Sequence, residues 1–284
     1  MVQLVIASGK GGTGKTMLAA NIAYCLSQTV ETTLADCDVE EPNVHLFLPS
    51  EYDESPVCVA NPVVDRDACT LCGQCADFCR YGALVVMQDR VFFNPSLCHS
   101  CGGCMLVCPE HAISETPRKI GTIEVRKPSS SLKIVTGRLN EGEVAVPAII
   151  SAVKNSVGKD ENVIIDGPPG TACPVIETLH GADVCILVTE PTPFGLHDLA
   201  IAADVAEQLG VPACVVINKS DGRDEDIVAF CDQRKLPLLL RIPYSREWAR
   251  VQGEGDLIVR HSLEWQDTFS RLFEEACNCR RAAE

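Results

Sequence analysis

Gly9-Lys10-Gly11-Gly12-Thr13-Gly14-Lys15-Thr16 stands between an apolar run, Val2 to Ala7, and a helix-patterned stretch, Met17 to Ser27. Strand, glycine loop and helix in that order make a cradle for phosphate. The glycines let backbone N–H groups close round phosphate oxygens, Lys15 reaches the outer phosphates, and the Thr16 hydroxyl is a magnesium ligand. A chance glycine-rich turn would not need the flanking strand and helix. Further along, Val163-Ile164-Ile165-Asp166 reads as a buried strand ending in an acid, placed to reach the same magnesium directly or through water. Thr33 to Ala35 leads into Asp36-Cys37-Asp38, either a solvated turn or more of the same site.

Between Asp36 and Asp166 lie two further runs. Cys69, Cys72, Cys75 and Cys79 form the first; Cys98, Cys101, Cys104 and Cys108, followed by Pro109, form the second. Structural zinc takes separated C-x2-C pairs, four thiolates to an ion. Four closely spaced thiols repeated as a unit instead match the C-x2-C-x2-C-x3-C rule for two 4Fe-4S clusters, in which the fourth cysteine crosses to the neighbouring cube. By that rule Cys69, Cys72, Cys75 and Cys108 hold one cluster, and Cys98, Cys101, Cys104 and Cys79 the other. Arg80 follows Cys79 where a proline is common, which leaves that turn less rigid.

Apolar runs near residues 2 to 7, 163 to 166, 184 to 189 and 213 to 217 alternate with amphipathic stretches such as Leu196 to Leu209. That alternation predicts an α/β fold, a doubly wound and mostly parallel sheet with helices on both faces. Pro56, Pro62 and Pro117 flank the cysteine block, so residues 60–117 are expected to be an inserted small α+β ferredoxin domain. Residues 1–59 and 118–284 then form one discontinuous ATP-binding domain, and the insert must leave and return at adjacent points. The last helix, Leu263 to Cys277, puts Trp265, Phe269, Leu272, Phe273 and Ala276 on one face. Its polar face carries Glu264, Asp267, Glu274 and Glu275, so packing on the core is expected rather than a basic membrane-binding helix.

The formal net charge of -15 over 284 residues argues against a nucleic-acid partner and favours partners with basic faces. No apolar run reaches the roughly 18 residues of a membrane span. The start runs straight into a strand-like segment without a basic region or cleavage site, so a cytoplasmic protein is expected. Its 17 cysteines then point to metal ligation and reduced thiols.

The run from Lys10 to Thr16 resembles the deviant phosphate loop of the MinD, ParA and nitrogenase iron protein superfamily. Asp166-Gly167-Pro168-Pro169-Gly170 resembles that superfamily's Mrp branch, whose members carry or assemble iron-sulfur clusters. With its cysteine block, the chain is similar over residues 1 to about 245 to MinD-superfamily ATPases containing an inserted ferredoxin domain. The resemblance implies a dimer, with itself or with a paralogous ATPase, in which each Lys10 crosses to the partner's nucleotide. It implies that Asp38 orients the attacking water and that Asp36 supports the magnesium shell. It also implies that Asn218 reads the adenine edge, with Ile242-Pro243-Tyr244 against the base. Cys173, seven residues past Asp166, matches the offset of a cluster-bridging cysteine in the nitrogenase iron protein; a small buried residue beside Pro174 is the plainer reading. Cys25, Cys37, Cys58, Cys185, Cys214 and Cys231 are expected in the core, and His99 in a solvated loop. Cys277 and Cys279 form C-x-C where Mrp-type carriers use C-x2-C.

The function expected first is a Mg-dependent ATPase whose dimer closure gates electron transfer through two 4Fe-4S clusters to a redox partner or metal centre. The alternatives are an iron-sulfur or metal-cofactor carrier, and a positioning scaffold in the manner of ParA and MinD.

Overall fold

Strands rich in Val, Ile and Leu, buried on both faces, can exist only between two helical layers. The computed structural model, which describes residues 1–158 and 161–283, has that arrangement. In chain order the elements are β1 (Gln3–Ser8), α1 (Lys15–Ser27), β2 (Thr32–Asp36), α2 (Val44–Phe47), β3 (Tyr52–Val64), α3 (Gln74–Phe78), β4 (Leu84–Val86), β5 (Val91–Phe93), α4 (Gly103–Leu106), β6 (Ile113–Arg126) and β7 (Leu132–Leu139). There follow α5 (Val146–Asn155), β8 (Asn162–Pro169), α6 (Cys173–Leu179), β9 (Val184–Thr189), α7 (Pro193–Gln208), β10 (Ala213–Ser220), α8 (Glu225–Arg234), β11 (Leu238–Pro243), α9 (Arg246–Gly253) and α10 (Leu263–Ala283).

The main sheet runs β11-β10-β9-β1-β8-β2-β7-β6-β3. Pairing is parallel from β11 to β7 and antiparallel from β7 to β6 and β3. Alternate strand residues feed two cores. Leu4, Ile6, Leu34, Ile164 and Ile186 meet α1 and α10 on one face, while Val5, Ala35, Ile165 and Leu187 meet α5, α6 and α7 on the other. Helix α1 is apolar nearly all round because it is enclosed, and its buried Asn21 donates to Met17 O at 2.7 Å and accepts from Val259 N at 3.1 Å. On α10, Phe269, Leu272, Phe273 and Ala276 are buried with Trp265 against them, as the face pattern predicts. Among the described residues no helix is long and apolar enough to cross a membrane.

The prolines expected to mark loops lie inside strands instead. Pro56 and Pro62 are in β3, the edge strand, and Pro117 is in the part of β6 that pairs with β3 alone. Each has a free edge, which is where a strand tolerates a residue without an N–H. From residue 121 downward β6 leaves β7 and continues with β3 as a two-stranded ribbon ending at Val64 and Ile113. Residues 65–112, with α3, α4 and the small β4–β5 hairpin, sit at its tip. Ala60 and Pro117 are register partners, so the expected insert boundaries fall opposite each other within the ribbon.

Candidate functional site

The turn from Gly9 to Gly14 carries β1 into α1. Gly12 and Gly14 have φ of 76° and 95°, where a side chain is strained. At Gly9 a Cβ would stand 2.4 Å from the Asp198 carbonyl oxygen, so only glycine lets α7 pack this close. The loop is braced from β10: Asn218 Nδ2 donates to Thr13 O at 2.7 Å, and Lys219 Nζ to Gly12 O at 2.9 Å. Asn218 Oδ1 accepts from Lys219 N at 2.9 Å. One end of the Asn218 amide is therefore engaged with the phosphate loop and the other with the backbone of its own strand. Of the segment expected against adenine, Ile242 is buried in the core, while Pro243 and Tyr244 are exposed beside Ser220.

Asp36, the last residue of β2, and Asp166, three residues before the end of β8, are register partners on adjacent strands, and both are fully buried. Asp36 accepts from Asp38 N at 3.3 Å and Val44 N at 3.2 Å, pinning the turn after β2. Neither oxygen of Asp166 has a hydrogen-bond partner, and the buried Thr13 Oγ1 also has none. Burial, then the neighbouring Asp166 charge, pushes the Asp36 carboxyl well up. Burial pushes Asp166 up to about 7 against the opposing influence of the nearby Thr16 hydroxyl and Lys15 ammonium. Asp38 is raised by burial, with Lys15 opposing, and burial lowers Lys15 despite Asp166 and Asp38. Asp166 and Asp38 share one buried lysine, and Asp36 lies behind them without a cation among the described residues. Such a site lacks positive charge, and the orphaned oxygens of Asp166 with the nearby Thr16 hydroxyl fit a divalent cation bound with phosphate.

Two charged residues at this site, Glu190 and Lys219, escaped sequence reasoning. Glu190, just past β9, lies 2.9 Å from Lys10 Nζ and 2.6 Å from Lys219 Nζ. The available signal was position alone, because loops after parallel strands line the ligand crevice.

At the ribbon tip the cysteines gather in the crossed sets. Cys69, Cys72, Cys75 and Cys108 line one narrow cavity. Cys79, Cys98, Cys101 and Cys104 line another of about 550 Å³. The two runs share one backbone path. Leu71 and Ser100, each just before the second cysteine of its run, have φ of 56° and 54°, and Gly73 and Gly102, just after it, have 85° and 71°. A short helix follows each. Backbone N–H groups also point at sulfur, Ser100 N at 3.4 Å from Cys98 Sγ and Ala112 N at 3.3 Å from Cys108 Sγ. Thiol quartets with N–H donors are the donor chemistry that cubane clusters take. Among the described residues no three His, Cys, Asp or Glu side chains stand as a ready site for a single metal ion.

Cys25, Cys37, Cys185, Cys214 and Cys231 are buried as expected. Cys58 is exposed, because the edge strand β3 is open to solvent, and so is Cys173, which opens α6 shortly after the end of β8 and does not pack in the core. His99 stacks on Tyr81 with ring centroids 3.7 Å apart.

Comparison with known proteins agrees with this geometry. The model of the CobQ/CobB/MinD/ParA nucleotide binding domain matches residues 4–258. The uncharacterised protein MJ0579 of Methanocaldococcus jannaschii is 30% identical over 275 residues, covering 92% of this chain and 93% of that protein. A ferredoxin of the same organism, MJ0722, is 36% identical over 55 residues, covering 18% of this chain and 71% of that protein. In structure, the septum site-determining protein MinD of Pyrococcus horikoshii, solved with Mg-ADP, superposes with a TM-score of 0.60 at 21% identity, covering 100% of this chain and 98% of that one. The chain belongs to the CobQ/CobB/MinD/ParA family of nucleotide-binding P-loop proteins.

Proposed function

We propose that this chain is a Mg-dependent ATPase in which ATP-driven dimer closure gates electron transfer through two 4Fe-4S clusters held at the ribbon tip. Residues 60–117 would be the cluster domain, and the remainder the discontinuous ATPase domain. The observation that carries the reading is one rung of the sheet. Asp166, Asp36, Thr136, Glu124 and Glu54 are successive register partners across β8, β2, β7, β6 and β3. The rung joins the candidate magnesium site to the sheet-bound base of β6 and β3, three residues from Gly121, where β6 leaves β7, and from Glu124 to Ile113 strand β6 spans roughly 35 Å. Glu124 is buried and ion-paired to Arg126 and to Arg138 at 3.1 Å, which makes that base stiff. Movement of the turn pinned by Asp36 would thus be passed to the cysteine segment as a tilt.

In the phosphate site, Gly9 to Gly14 would wrap the phosphates, and Lys15 would neutralise the outer ones. Thr16 and Asp166 would hold magnesium, with Asp36 behind it. Asp38 would orient the attacking water, and Lys10 would act across the dimer. Magnesium, when bound, supplies charge for the phosphates. Clusters, when bound, supply one-electron steps.

The test is stopped-flow reduction of a redox partner by the anaerobically purified chain, with and without ATP. A rate that rises with ATP is expected, and identical rates would overturn gating. A second reading, a positioning scaffold with clusters as structural or sensing groups, is the better fit to the comparisons, since the superposed MinD is a septum site-determining protein. It predicts ATP-dependent assembly with ATP-independent redox rates. Exposed Cys173 keeps a carrier role in view, which an extra labile cluster and transfer to an apo acceptor would support.

A further inference from the structure

Glu190 sits on a turn that is fixed without help from its own side chain. Thr192 N donates to Glu190 O at 2.7 Å, Thr192 Oγ1 caps α7 by accepting from Gly195 N at 2.9 Å, and Thr189 Oγ1 donates to Gly195 O at 2.9 Å. A Cβ at Gly195 would stand 2.2 Å from Glu190 O, so the turn closes as tightly as glycine permits. The carboxylate is therefore aimed at the mouth of the phosphate loop from a rigid base.

There it divides itself between two ammonium groups. Oε2 takes Lys10 at 2.9 Å and Oε1 takes Lys219 at 2.6 Å. Lys219 has a second hold, its bond to Gly12 O, and its backbone is already in the left-handed region at φ 56°. Among the described residues Lys10 Nζ has only Glu190 as a hydrogen-bonding side-chain partner, and its side chain keeps 30% exposure against 15% for Glu190. The two lysines are thus unequal in their bonds: among the described residues the Lys219 ammonium is tied into its own chain twice and that of Lys10 once, although Lys219 is the more exposed, at 47%. Burial alone would raise the Glu190 carboxyl, but the bonds and charges of Lys219 and Lys10 outweigh it and hold the group below its ordinary range, so it is ionised at neutral pH.

A lysine cannot serve its own Glu190 and a partner's phosphate at once. Resting on the reading that Lys10 acts across the dimer, we infer that Glu190 is a positioning residue that keeps Lys10 on its own subunit until the phosphate of ATP on the partner displaces it. Lys219 stays behind, still bridging Glu190 to Gly12, and prevents the carboxylate from being stranded without a cation when Lys10 leaves. The strength of the Glu190–Lys10 pair then sets how much ATP the dimer needs to close.

The experiment measures dimerisation of the full chain by sedimentation velocity against concentration of a non-hydrolysable ATP analogue with magnesium. Glu190→Gln keeps the size of the side chain and removes its charge, and the midpoint concentration is expected to fall about fivefold, the scale of a partly exposed ion pair. Glu190→Asp, too short to reach Lys10, should shift it the same way by less. ADP, lacking the outer phosphate, should show no comparable gain. In the Lys10→Ala/Glu190→Gln double variant the gain should vanish, which a merely structural effect of position 190 would not do. An unshifted midpoint in both Glu190 variants, or a gain that survives in the double variant, would overturn the inference while leaving the dimer reading intact. Normal dimerisation of Lys10→Ala alone would overturn the reading of Lys10 in trans and the clamp with it.

Discussion

Asp166 is the residue on which the nucleotide site turns: fully buried, with both oxygens unpartnered and its proton held up to about 7 by burial. Its folded value lies above its unfolded one, as does that of Asp36, so the folded state holds the protons more tightly. The stability they lend is present below the ordinary carboxylate range, near 4, and is lost as pH rises through about 7. Thermal unfolding of the metal-free chain should therefore move to lower temperature between pH 5 and pH 8, and Asp166→Asn should flatten that slope. Magnesium with ADP should do the same, because a cation favours the ionised carboxylate. Asp38 is half-enclosed and faces Lys15, and the proposed function gives it the water rather than the nucleotide to hold. Asp38→Asn should keep nucleotide affinity and lower turnover about 100-fold, read from steady-state hydrolysis beside equilibrium binding.

Among the elements, the two cysteine loops are the most demanding locally. Leu71 and Ser100 hold positive φ without being glycine, a strain of about 1 kcal/mol each that the surrounding loop must overcome. Helix α4 packs on α3 only because Gly103 lacks a side chain, since a Cβ there would stand 2.0 Å from the Phe78 ring. Gly103→Ala should force that ring aside, cost roughly 1–3 kcal/mol, and lower the iron content of the purified chain before it lowers nucleotide binding. The proposed crossed ligation of two clusters makes a sharper prediction. Cys108 lines the cavity of the first run, not its own, so Cys108→Ser should remove the cluster of Cys69, Cys72 and Cys75 and leave the other. Iron analysis should fall from about eight to about four per chain.

For the whole molecule, the ribbon makes the cysteine segment separable. Val64 and Ile113 are paired at its end, so joining them through an Asn-Gly turn in place of residues 65–112 keeps every strand of the main sheet. The shortened chain should fold, bind ATP and show no visible iron-sulfur absorption. If it fails to bind nucleotide, the ribbon is part of the ATP site rather than an arm attached to it. The same architecture explains how far the sequence could be read. The phosphate loop, the strand carrying Asp166 and the two cysteine runs were legible because each is chemistry written in neighbouring residues, and the alternation of strand and helix announced the sheet. What neighbouring residues could not specify was pairing across long separations. That Asp36, Asp166 and Glu124 share one rung, that prolines lie within a ribbon, that Asn218 braces Thr13, that Cys173 is exposed and that Glu190 reaches Lys10 from 180 positions away all depend on strand order and register. Register is settled by which faces find burial when the whole sheet assembles, and that is a property of the packed molecule rather than of any segment of it.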